Sequence, residues 1–514
     1  MGKPARGVVA LSRRRERAKG PNVDWQDLIS GSAVIDRGGQ GNPRVTDVTH
    51  DSRQVKPGAV YVAIPGLRVH GDAFITEAVG RGAAAVVSEN AQRGCGAPWI
   101  QVRAPRKLLG TLAAKLWNVR WEDMVSVGIT GTNGKTTIAH LFHHLFSETY
   151  GAERSWMFGT ISYAMGASSR EARCTTPESA DIFRFMGLSQ PGPRALTMEV
   201  SSHALALDRI EGFFYDVALF TNLSQDHLDF HKNMEDYYAA KKRLFTGHMR
   251  KDGVAVINID DPWGARLARE LKGIRQITYG RNGNATVHIA DCTCSWKGTK
   301  VKINNQGETV SFQSNLSGFF NVYNLVAFWA GARALGRSDE EIRNCVKTAS
   351  PVRGRMERVS IPADYTLVVD YAHTPDALEK VLSAARPLTK GRLLCVFGCG
   401  GDRDKTKRPR MAEAVAGNCD EAVVTSDNPR SEDPESIIRD ILEGMPLDFP
   451  HQVVVDRREA IRTAMQTART GDCIVVAGKG HETYQEVQGV RHHFDDVEVV
   501  NGLQAEMNKA KVNA

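Results

Sequence analysis

A glycine-rich segment is the part of the sequence best suited to bind phosphate. Residues 130–137 read TGTNGKTT, after the apolar run Val125–Thr130 and before an amphipathic helix. Backbone amides of such a turn and of a helix N-terminus can surround phosphate oxygens. We expect Lys135 to neutralise the phosphates and the Thr136 hydroxyl to bind Mg²⁺. The segment therefore predicts a nucleotide site, without distinguishing adenine from guanine.

This segment is a variant of the usual phosphate-binding loop. The strict pattern has a glycine six positions before the lysine, and Ile129 occupies that position here. Gly131 and Gly134 must therefore supply the turn. The predicted nucleotide-binding residues of the loop are Gly131, Thr132, Asn133, Gly134, Lys135, Thr136 and Thr137.

A carboxylate and an imidazole follow the next strand-like runs. Glu199 lies in MEVSSHAL, and His227 lies in TNLSQDHLDFH. Carboxylate oxygens are hard ligands for Mg²⁺, and we expect both residues at the sheet edge that holds the phosphates. Lys241, in YYAAKKRLF, is harder to interpret. The residues alone leave open that it belongs to a solvated helix face with Lys242 and Arg243.

The chain is long enough for about three domains. It has 514 residues, of which 42% are hydrophobic and 24% are charged, as is ordinary for a globular protein. The pattern predicts an α/β fold in four parts. They are a basic, disordered extension at 1–20, a small α/β domain at 21–122, a central domain with a mostly parallel sheet at 123–352, and a doubly wound C-terminal sheet at 353–514.

Short apolar runs alternate with helical stretches along these domains. Four polar motifs, YAHTPD, GCGGDRD, SDNPR and GKGHE, each follow a C-terminal strand. Ligands of open α/β sheets bind at the carboxyl ends of the strands, so this placement indicates a binding crevice. The predicted strands are Ala59–Ile64, Ala83–Ser88, Val125–Thr130, Ala195–Val200, Val217–Thr221, Val254–Ile259, Thr366–Asp370, Leu393–Phe397, Glu421–Thr425, Gln452–Asp456 and Cys473–Ala477. Helices are predicted near Phe74–Arg81 and Pro105–Trp117.

Charge and composition exclude several classes of protein. The net charge is +7, but residues 1–20 hold seven basic residues and one acidic residue, so the rest is nearly neutral and no nucleic-acid binding is expected. The sequence contains no apolar run of about eighteen residues, so no membrane span is predicted. Nine cysteines without a CxxC pair favour a reducing compartment. For residues 1–20, an organelle transit peptide is the alternative to a disordered extension.

Ten motifs occur in an order that resembles the Mur ligase family. They are TGTNGKTT, EVSSHAL, TNLSQDHLDFH, YYAAK, GFFNVYN, GRME, DYAHTPDAL, GGDRD, DNPR and GKGHE. Together they extend the resemblance over about residues 45–500. The resemblance implies a small N-terminal UDP-binding domain, a central P-loop ATPase-like domain and a C-terminal Rossmann-like domain.

The resemblance also implies a reaction. An ATP- and Mg²⁺-dependent ligase would add meso-diaminopimelate to the D-glutamate carboxylate of UDP-N-acetylmuramoyl-L-alanyl-D-glutamate through an acyl phosphate. This step belongs to cytoplasmic peptidoglycan precursor synthesis. The implied partners are these small-molecule substrates, with no nucleic acid and no membrane span, and a monomer is expected.

By the same resemblance, four side chains have catalytic roles: Lys135, Glu199, His227 and Lys241. Thr136 and Glu199 would hold one Mg²⁺, whereas His227 and Lys241 would belong to a second metal site. The resemblance further implies that Lys241 is carbamylated, which converts a cation into an anion able to bind metal.

Further binding residues follow from the family motifs. For ATP they are Asn321, Arg355, Asp370 and His373. For the UDP-muramoyl-dipeptide they are Ser52, in HDSR, with Arg68, Thr175, Thr176, Ser201 and Arg209. The chain departs from the family at Leu207, where a polar residue is common.

The segment DNPR at 427–430 matches the signature of the diaminopimelate-adding members. Arg430 can bind a carboxylate bidentately, and Arg403 and Glu482 would pair with the carboxylate and the ammonium of the distal amino-acid head. Such a site should reject lysine, because its buried charges would stay unpaired. The predicted diaminopimelate-binding residues are Arg403, Asp427, Asn428, Pro429, Arg430, Gly478 and Glu482.

Three alternatives remain open from the sequence. A lysine-adding relative is the nearest, and Arg430 argues against it. Folylpolyglutamate synthase shares the phosphate loop but not HDSR or DNPR. A non-catalytic plastid scaffold of the same descent would account for the basic residues 1–20, but it would not need the charged catalytic set.

Overall fold

The computed structural model describes residues 21–66, 69–120, 123–189 and 192–513. The predicted extension 1–20 and the predicted substrate residue Arg68 lie outside the described residues. The described residues form two compact units. The first comprises those of Met1–Arg120 and Glu178–Gly192, and the second those of Trp121–Pro177 and Pro193–Ala514.

The first unit contains a five-stranded sheet. The strands up to residue 120 are β1 (Val23–Asp24), β2 (Asp36–Gly38), β3 (Arg44–Val45), β4 (Asp47–Thr49), β5 (Ala59–Val62), β6 (Ala85–Ser88) and β7 (Trp99–Gln101). The helices are α1 (Trp25–Ile29), α2 (Ile75–Gly80) and α3 (Pro105–Leu116). The sheet order is β2-β7-β6-β5-β4, with β2 antiparallel and the other pairs parallel. The predicted strands at 59 and 83 are confirmed as β5 and β6, each two residues shorter.

The central part of the second unit contains an eleven-stranded sheet. Its strands are β8 (Val125–Thr130), β9 (Ser155–Phe158), β10 (Ser162–Met165), β11 (Ser168–Glu171), β12 (Ala195–Glu199), β13 (Tyr215–Phe220), β14 (Met249–Asn258), β15 (Arg275–Gly280), β16 (Val287–Ser295), β17 (Gly298–Asn305) and β18 (Glu308–Ser314). The helices in this stretch of sequence are α4 (Lys135–Tyr150), α5 (Ser179–Leu188), α6 (Ser202–Ala206), α7 (Met234–Gly247), α8 (Pro262–Glu270), α9 (Phe320–Ala334) and α10 (Asp339–Thr348), of which α5 belongs to the first unit.

The strand order places three functional loops side by side. The order is β11-β10-β9-β12-β8-β13-β14-β15-β16-β17-β18, and the strands from β9 to β16 are parallel. Strand β8 therefore lies between β12 and β13, and the three carboxyl ends meet at one edge. The glycine-rich loop follows β8, Glu199 ends β12, and the TNLSQDH segment follows β13. This confirms the predicted mostly parallel sheet.

Helices α4 and α9 form the core on one face of this sheet. The apolar residues predicted for the buried face of α4 are all buried, and they are Ile138, Leu141, Phe142, Leu145 and Phe146. Phe142 meets Phe328 of α9 edge to face, with ring centroids 4.9 Å apart. The second residue range of the first unit contains α5, which packs on α3 and β4. The predicted domain boundaries stay predictions.

The C-terminal part of the second unit contains a six-stranded sheet. The strands are β19 (Glu357–Val359), β20 (Thr366–Asp370), β21 (Leu393–Phe397), β22 (Glu421–Val424), β23 (His451–Val453) and β24 (Cys473–Ala477), followed by a separate hairpin of β25 (Tyr484–Val487) and β26 (Val490–His493). The helices are α11 (Pro375–Ala385), α12 (Lys407–Ala416), α13 (Pro434–Leu442), α14 (Arg457–Thr467) and α15 (Asp496–Asn513).

This sheet has a hydrophobic core on each face, as the doubly wound prediction requires. Its order is β19-β20-β24-β21-β22-β23, and only the β19–β20 pair is antiparallel. Helices α11, α12 and α13 cover one face, and α14 and α15 cover the other. The four polar motifs follow β20, β21, β22 and β24, which confirms their predicted positions at strand ends.

One predicted strand is displaced. Gln452–Asp456 was expected to be extended, but β23 ends at Val453 and α14 begins at Arg457. The Asp456 side chain accepts a hydrogen bond from the backbone N–H of Glu459 at 2.9 Å. It is therefore the N-cap of α14, a role that aspartate favours, and the sequence after it folds as a helix.

Within the part of the chain that the structure describes, no helix combines the length and the apolar character needed to cross a bilayer.

A buried ion pair between α14 and α15 gives a prediction for stability. Arg457 and Asp496 are both fully buried, and they pair bidentately, with Nε–Oδ1 and Nη2–Oδ2 distances of 2.8 and 2.7 Å. Asp496→Asn would leave the buried guanidinium without its counter-charge. We expect this variant to lose about 3–5 kcal/mol of stability, measured as a lower midpoint of thermal unfolding. Glu506→Gln, in an exposed ion pair with Arg458, is the control, and equal shifts for both variants would contradict the expectation.

Candidate functional site

The glycine-rich loop packs so closely on its neighbours that two positions exclude a side chain. Gly131 and Gly134 have φ values of 144° and 88°, in the region that favours glycine. A Cβ on Gly131 would overlap the Thr221 hydroxyl, and a Cβ on Gly134 would overlap the Asn324 amide oxygen. The two glycines therefore supply the turn that the sequence assigned to them.

The segment after β13 fixes the backbone of the loop. The N–H of Thr132 donates to the Asn222 carbonyl at 2.9 Å, and the N–H of Asn133 donates to Asn222 Oδ1 at 3.0 Å. The Thr221 hydroxyl donates to the Asn133 carbonyl at 2.6 Å. In return, the N–H of Ser224 donates to Thr132 Oγ1 at 3.0 Å. Two adjacent strand ends thus hold the loop in one conformation.

Two lysine amines meet at one carbonyl group of this loop. Lys135 Nζ donates to the Gly131 oxygen at 3.0 Å, and Lys241 Nζ donates to the same oxygen at 2.8 Å. Lys241 is 1% exposed, so it does not belong to a solvated helix face. Burial lowers the pKa of Lys241 well below its ordinary value, and the nearby charge of Lys135 lowers it further. Burial also lowers the pKa of Lys135.

Glu199 is a fully buried carboxylate in direct contact with the loop. Its Oε2 accepts hydrogen bonds from the hydroxyls of Thr136 and Thr160, both at 3.0 Å. Its Oε1 accepts from the N–H of Thr160 at 2.9 Å, and a Cβ on Gly159 would overlap this oxygen. The Thr136 hydroxyl and the Glu199 carboxylate are the hard oxygen donors that Mg²⁺ prefers. These two predicted ligands therefore fit the ion.

His227 and Lys241 both lie close to the Tyr237 ring. The His227 ring centroid is 6.2 Å from that of Tyr237, and Lys241 Nζ is 4.6 Å from it. His227 has φ 55°, a backbone conformation that is uncommon outside glycine and that clusters at functional sites. Burial lowers the pKa of His227, against the opposing charge of Asp226, and this favours the neutral imidazole that binds metals.

The other residues predicted for ATP lie around the same loop or at the adjoining end of β20. Arg355 Nη2 donates to Thr136 Oγ1 at 3.3 Å, so the C-terminal part reaches the loop. Asp370 accepts backbone hydrogen bonds from residues 356 and 372, and burial raises its pKa. Asn321 Oδ1 accepts from Asn324, the neighbour of Gly134, at 2.9 Å. His373 Nδ1 lies 2.7 Å from the Tyr371 carbonyl oxygen.

Asp376, at the start of α11, is a second link between the C-terminal part and the loop. Its Oδ2 accepts hydrogen bonds from Asn133 Nδ2 at 2.9 Å and from the Ser224 hydroxyl at 2.7 Å. Lys380 Nζ donates to the same oxygen at 2.8 Å. The sequence analysis did not single out Asp376, although it lies in the DYAHTPDAL motif.

Most of the predicted sugar-dipeptide residues of the second unit surround Glu199. The Thr176 hydroxyl donates to the Glu199 carbonyl at 2.7 Å and accepts from the N–H of Ser201 at 3.0 Å. Thr175 Oγ1 lies 3.2 Å from Thr160 Oγ1. Arg209 follows α6, whose last turn ends at Leu207. In the first unit, the Ser52 hydroxyl donates to Glu77 Oε2 at 3.1 Å.

The predicted amino-acid residues gather at the ends of β22 and β24. Asn428 Nδ2 donates to Glu482 Oε2 at 2.8 Å. Arg430 has φ 54°, and its Nη1 donates to the Gly401 carbonyl at 2.7 Å. A Cβ on Gly478 would lie 2.5 Å from Asp427 Oδ2, a buried oxygen with no hydrogen-bond partner among the described residues. Burial raises the pKa of Glu482.

Arg403 differs from these residues because its side chain lies at the surface, where Nη1 donates to the Asp402 carbonyl at 3.3 Å. Its predicted role at the amino-acid carboxylate stays a prediction. Conversely, Lys479 is fully buried between Asn428 and Glu482 and was missed. Lys479 lies in the motif GKGHE, between the predicted binding residues Gly478 and Glu482. That position was the signal by which the sequence could have identified it.

The packing at Gly131 gives a prediction for nucleotide binding. Gly131→Ala must displace Thr221, which holds the loop, so we expect ATP to bind at least about tenfold more weakly, the equivalent of about 1.4 kcal/mol. Gly151→Ala is the matched control, because φ is 86° there and no atom lies within 4 Å of the added Cβ. Isothermal titration with ATP measures both variants. Equal affinity for Gly131→Ala and wild type would show that the loop does not hold phosphate.

Three regions of the chain match descriptions of one family. Residues 44–117 match the Mur ligase family catalytic domain. Residues 129–332 match the Mur ligase middle domain. Residues 354–480 match the Mur ligase glutamate ligase domain.

Relatives extend the similarity over most of the chain. A UDP-N-acetylmuramoyl-L-alanyl-D-glutamate--2,6-diaminopimelate ligase of Gloeobacter violaceus is 44% identical over 460 residues, which cover 88% of this chain and 92% of the relative. The protein of the same name in Streptomyces coelicolor is 41% identical over 480 residues, 90% of this chain and 92% of the relative. A solved structure of a ligase of this name has 32% identity and a TM-score of 0.69, covering 95% of this chain and 99% of that one. Together with the glycine-rich loop and the buried carboxylate, these similarities show that the chain belongs to the Mur ligase family.

Proposed function

We propose that this chain is an ATP-dependent ligase that joins meso-diaminopimelate to the D-glutamate carboxylate of UDP-N-acetylmuramoyl-L-alanyl-D-glutamate. The observation that carries the proposal is the near full-length identity of 41–44% to relatives named for this reaction. Peptidoglycan precursor synthesis is the implied process. A monomer in the cytoplasm is part of the proposal, and nine free cysteines support a reducing compartment.

In the first half of the reaction, the D-glutamate carboxylate attacks the terminal phosphorus of ATP, and an acyl phosphate and ADP form. Both reactants are anions, so the site must neutralise charge and hold them in line. The loop amides and the Lys135 ammonium provide this around the phosphates. Thr176 and Ser201 lie beside Glu199 and would position the dipeptide, while Ser52 of the first unit would contact UDP.

The side chains that would hold Mg²⁺ are those named above. Thr136 and Glu199 would hold one ion, and His227 with a carbamylated Lys241 would hold the second. When bound, Mg²⁺ withdraws negative charge from the phosphate oxygens. Carbamylation requires a neutral amine to attack CO₂, and the burial that lowers the pKa of Lys241 favours that form.

In the second half, the amine of the incoming amino acid attacks the acyl phosphate carbon, and the tetrahedral intermediate expels phosphate to leave an amide. The residues after β22 and β24 would hold the far end of this amino acid. Arg430 would bind the distal carboxylate, and Glu482 would bind the distal ammonium. Lysine lacks the distal carboxylate, so it would leave the Arg430 guanidinium unpaired in a desolvated site.

Phosphate release tests the proposal directly. The protein is supplied with ATP, Mg²⁺ and UDP-N-acetylmuramoyl-L-alanyl-D-glutamate, and meso-diaminopimelate is compared with L-lysine. We expect release with diaminopimelate only. Release with lysine would retain the ligase and overturn the assigned pocket. No release with either, from protein that binds ATP, would favour the non-catalytic scaffold.

The role of Lys241 has a separate test. Lys241→Ala should lose at least about 100-fold in kcat, as removal of one preorganised charged group commonly does. Formate or acetate should restore part of the activity, because a small carboxylate can replace the carbamate. Lys242→Ala is the matched control, since this neighbouring lysine pairs with Glu270 at 2.9 Å on the surface of α7. Loss of activity without rescue by any short carboxylate would count against the carbamate, and full activity would remove Lys241 from the mechanism.

A further inference from the structure

We propose that Lys479 is a positioning residue of the amino-acid site, which holds Asn428 against Glu482 and so orients the Glu482 carboxylate toward the ammonium group of the incoming amino acid. The inference rests on the proposed function, because it assigns an ammonium-binding role to Glu482. Lys479 lies in the turn after β24 and is itself fully buried. Lys479 would act through Asn428 and Glu482, and we do not propose that it contacts the substrate.

The three side chains form a closed hydrogen-bond network. Lys479 Nζ donates to Asn428 Oδ1 at 3.1 Å and to Glu482 Oε2 at 3.2 Å. Asn428 Nδ2 donates to the same Glu482 oxygen at 2.8 Å. Each residue therefore contacts the other two, and the network joins the DNPR segment after β22 to the GKGHE segment after β24. Displacement of any one of the three changes the geometry of both segments.

Lys479 determines which end of the Asn428 amide faces Glu482. Asn428 Oδ1 accepts from Lys479 Nζ and from the N–H of Glu486 at 3.0 Å. A rotated amide would place its NH₂ group against these two donors and its oxygen against the Glu482 carboxylate. Both contacts would be repulsive, so the amide has one favourable orientation. Without Lys479, one of the two donors that enforce this orientation is lost.

The charge of Lys479 also favours the anionic form of Glu482. Burial raises the pKa of Glu482, the nearby Asp427 raises it further, and Lys479 opposes both. The other charged or titratable groups that face Glu482 are Arg457, Tyr371 and Tyr484. Removal of Lys479 would therefore shift Glu482 toward its protonated form. A protonated carboxyl cannot pair with an ammonium group, so amino-acid binding would weaken most at low pH.

The experiment compares Lys479→Met with wild type in the full-length protein, with kcat and both KM values measured between pH 7 and pH 9. We expect the KM for meso-diaminopimelate to rise at least about tenfold at pH 7, as loss of one charged hydrogen bond implies, while the KM for ATP stays within about twofold. The raised KM should fall as the pH rises, because Glu482 then deprotonates. Lys479→Arg, which keeps the charge, should recover part of the loss. Lys390→Met, at an exposed lysine of the same part of the chain, is the control and should behave as wild type.

A double-mutant cycle separates positioning from general destabilisation. If Lys479 acts through Glu482, Lys479→Met should add little to the KM of Glu482→Gln. Additive effects, an equal rise in both KM values, or a rise that does not change with pH would each overturn the inference. Should Lys479→Met unfold, Lys479→Gln is judged by the same criteria. Wild type that shows no diaminopimelate-dependent phosphate release would overturn the proposed function, and this inference with it, whereas active wild type with unaffected variants overturns this inference alone.

Discussion

Two lysine amines, of which that of Lys241 is fully buried, share one carbonyl oxygen, that of Gly131, and the central site depends on this arrangement. Both Lys135 and Lys241 hydrogen-bond to carbonyl oxygens of the loop backbone, whereas a buried ammonium is normally paired with a carboxylate. Two ammonium groups bound to one oxygen would repel each other strongly, and the charge of Lys135 accordingly lowers the pKa of Lys241. The repulsion is relieved when anionic phosphate enters or when one amine becomes neutral. The same feature therefore favours both triphosphate binding and chemical modification of Lys241.

The strand order is what makes this arrangement possible. Because β8 lies between β12 and β13, the loop after β8 receives support from both sides. Glu199 contacts it from β12, and Asn222 binds its backbone from the end of β13. A parallel sheet brings such carboxyl ends to one edge whatever their separation in sequence. The loop can thus hold two positive φ values and a crowded set of charges without relying on its own short sequence for stability.

The sequence predicted the parts of the site that have local signals. The loop reads as strand, glycine turn and helix within a few residues, and Glu199 directly ends an apolar run. Thr160 and Asp376 carried no such signal, because each acts through a contact with a residue 39 or 243 positions away. The burial of Lys241 had no local signal either, since the next residue on the same helix, Lys242, is partly exposed. Likewise, the end of β23 depended on the capping of α14 by Asp456, which competes with an apolar run that favours a strand.

The two proposed ligand sites of the second unit differ in the partners of their charged side chains. At the phosphate loop the Lys135 and Lys241 amines contact backbone carbonyls, which suits a ligand of high negative charge. The proposed amino-acid site instead contains an internal ion pair, that of Lys479 with Glu482. Diaminopimelate carries two ammonium and two carboxylate groups, so it would enter such a site with no net charge and could exchange partners with groups that are already paired. A site of this kind would discriminate by the positions of charges, because lysine lacks the distal carboxylate that Arg430 is proposed to bind.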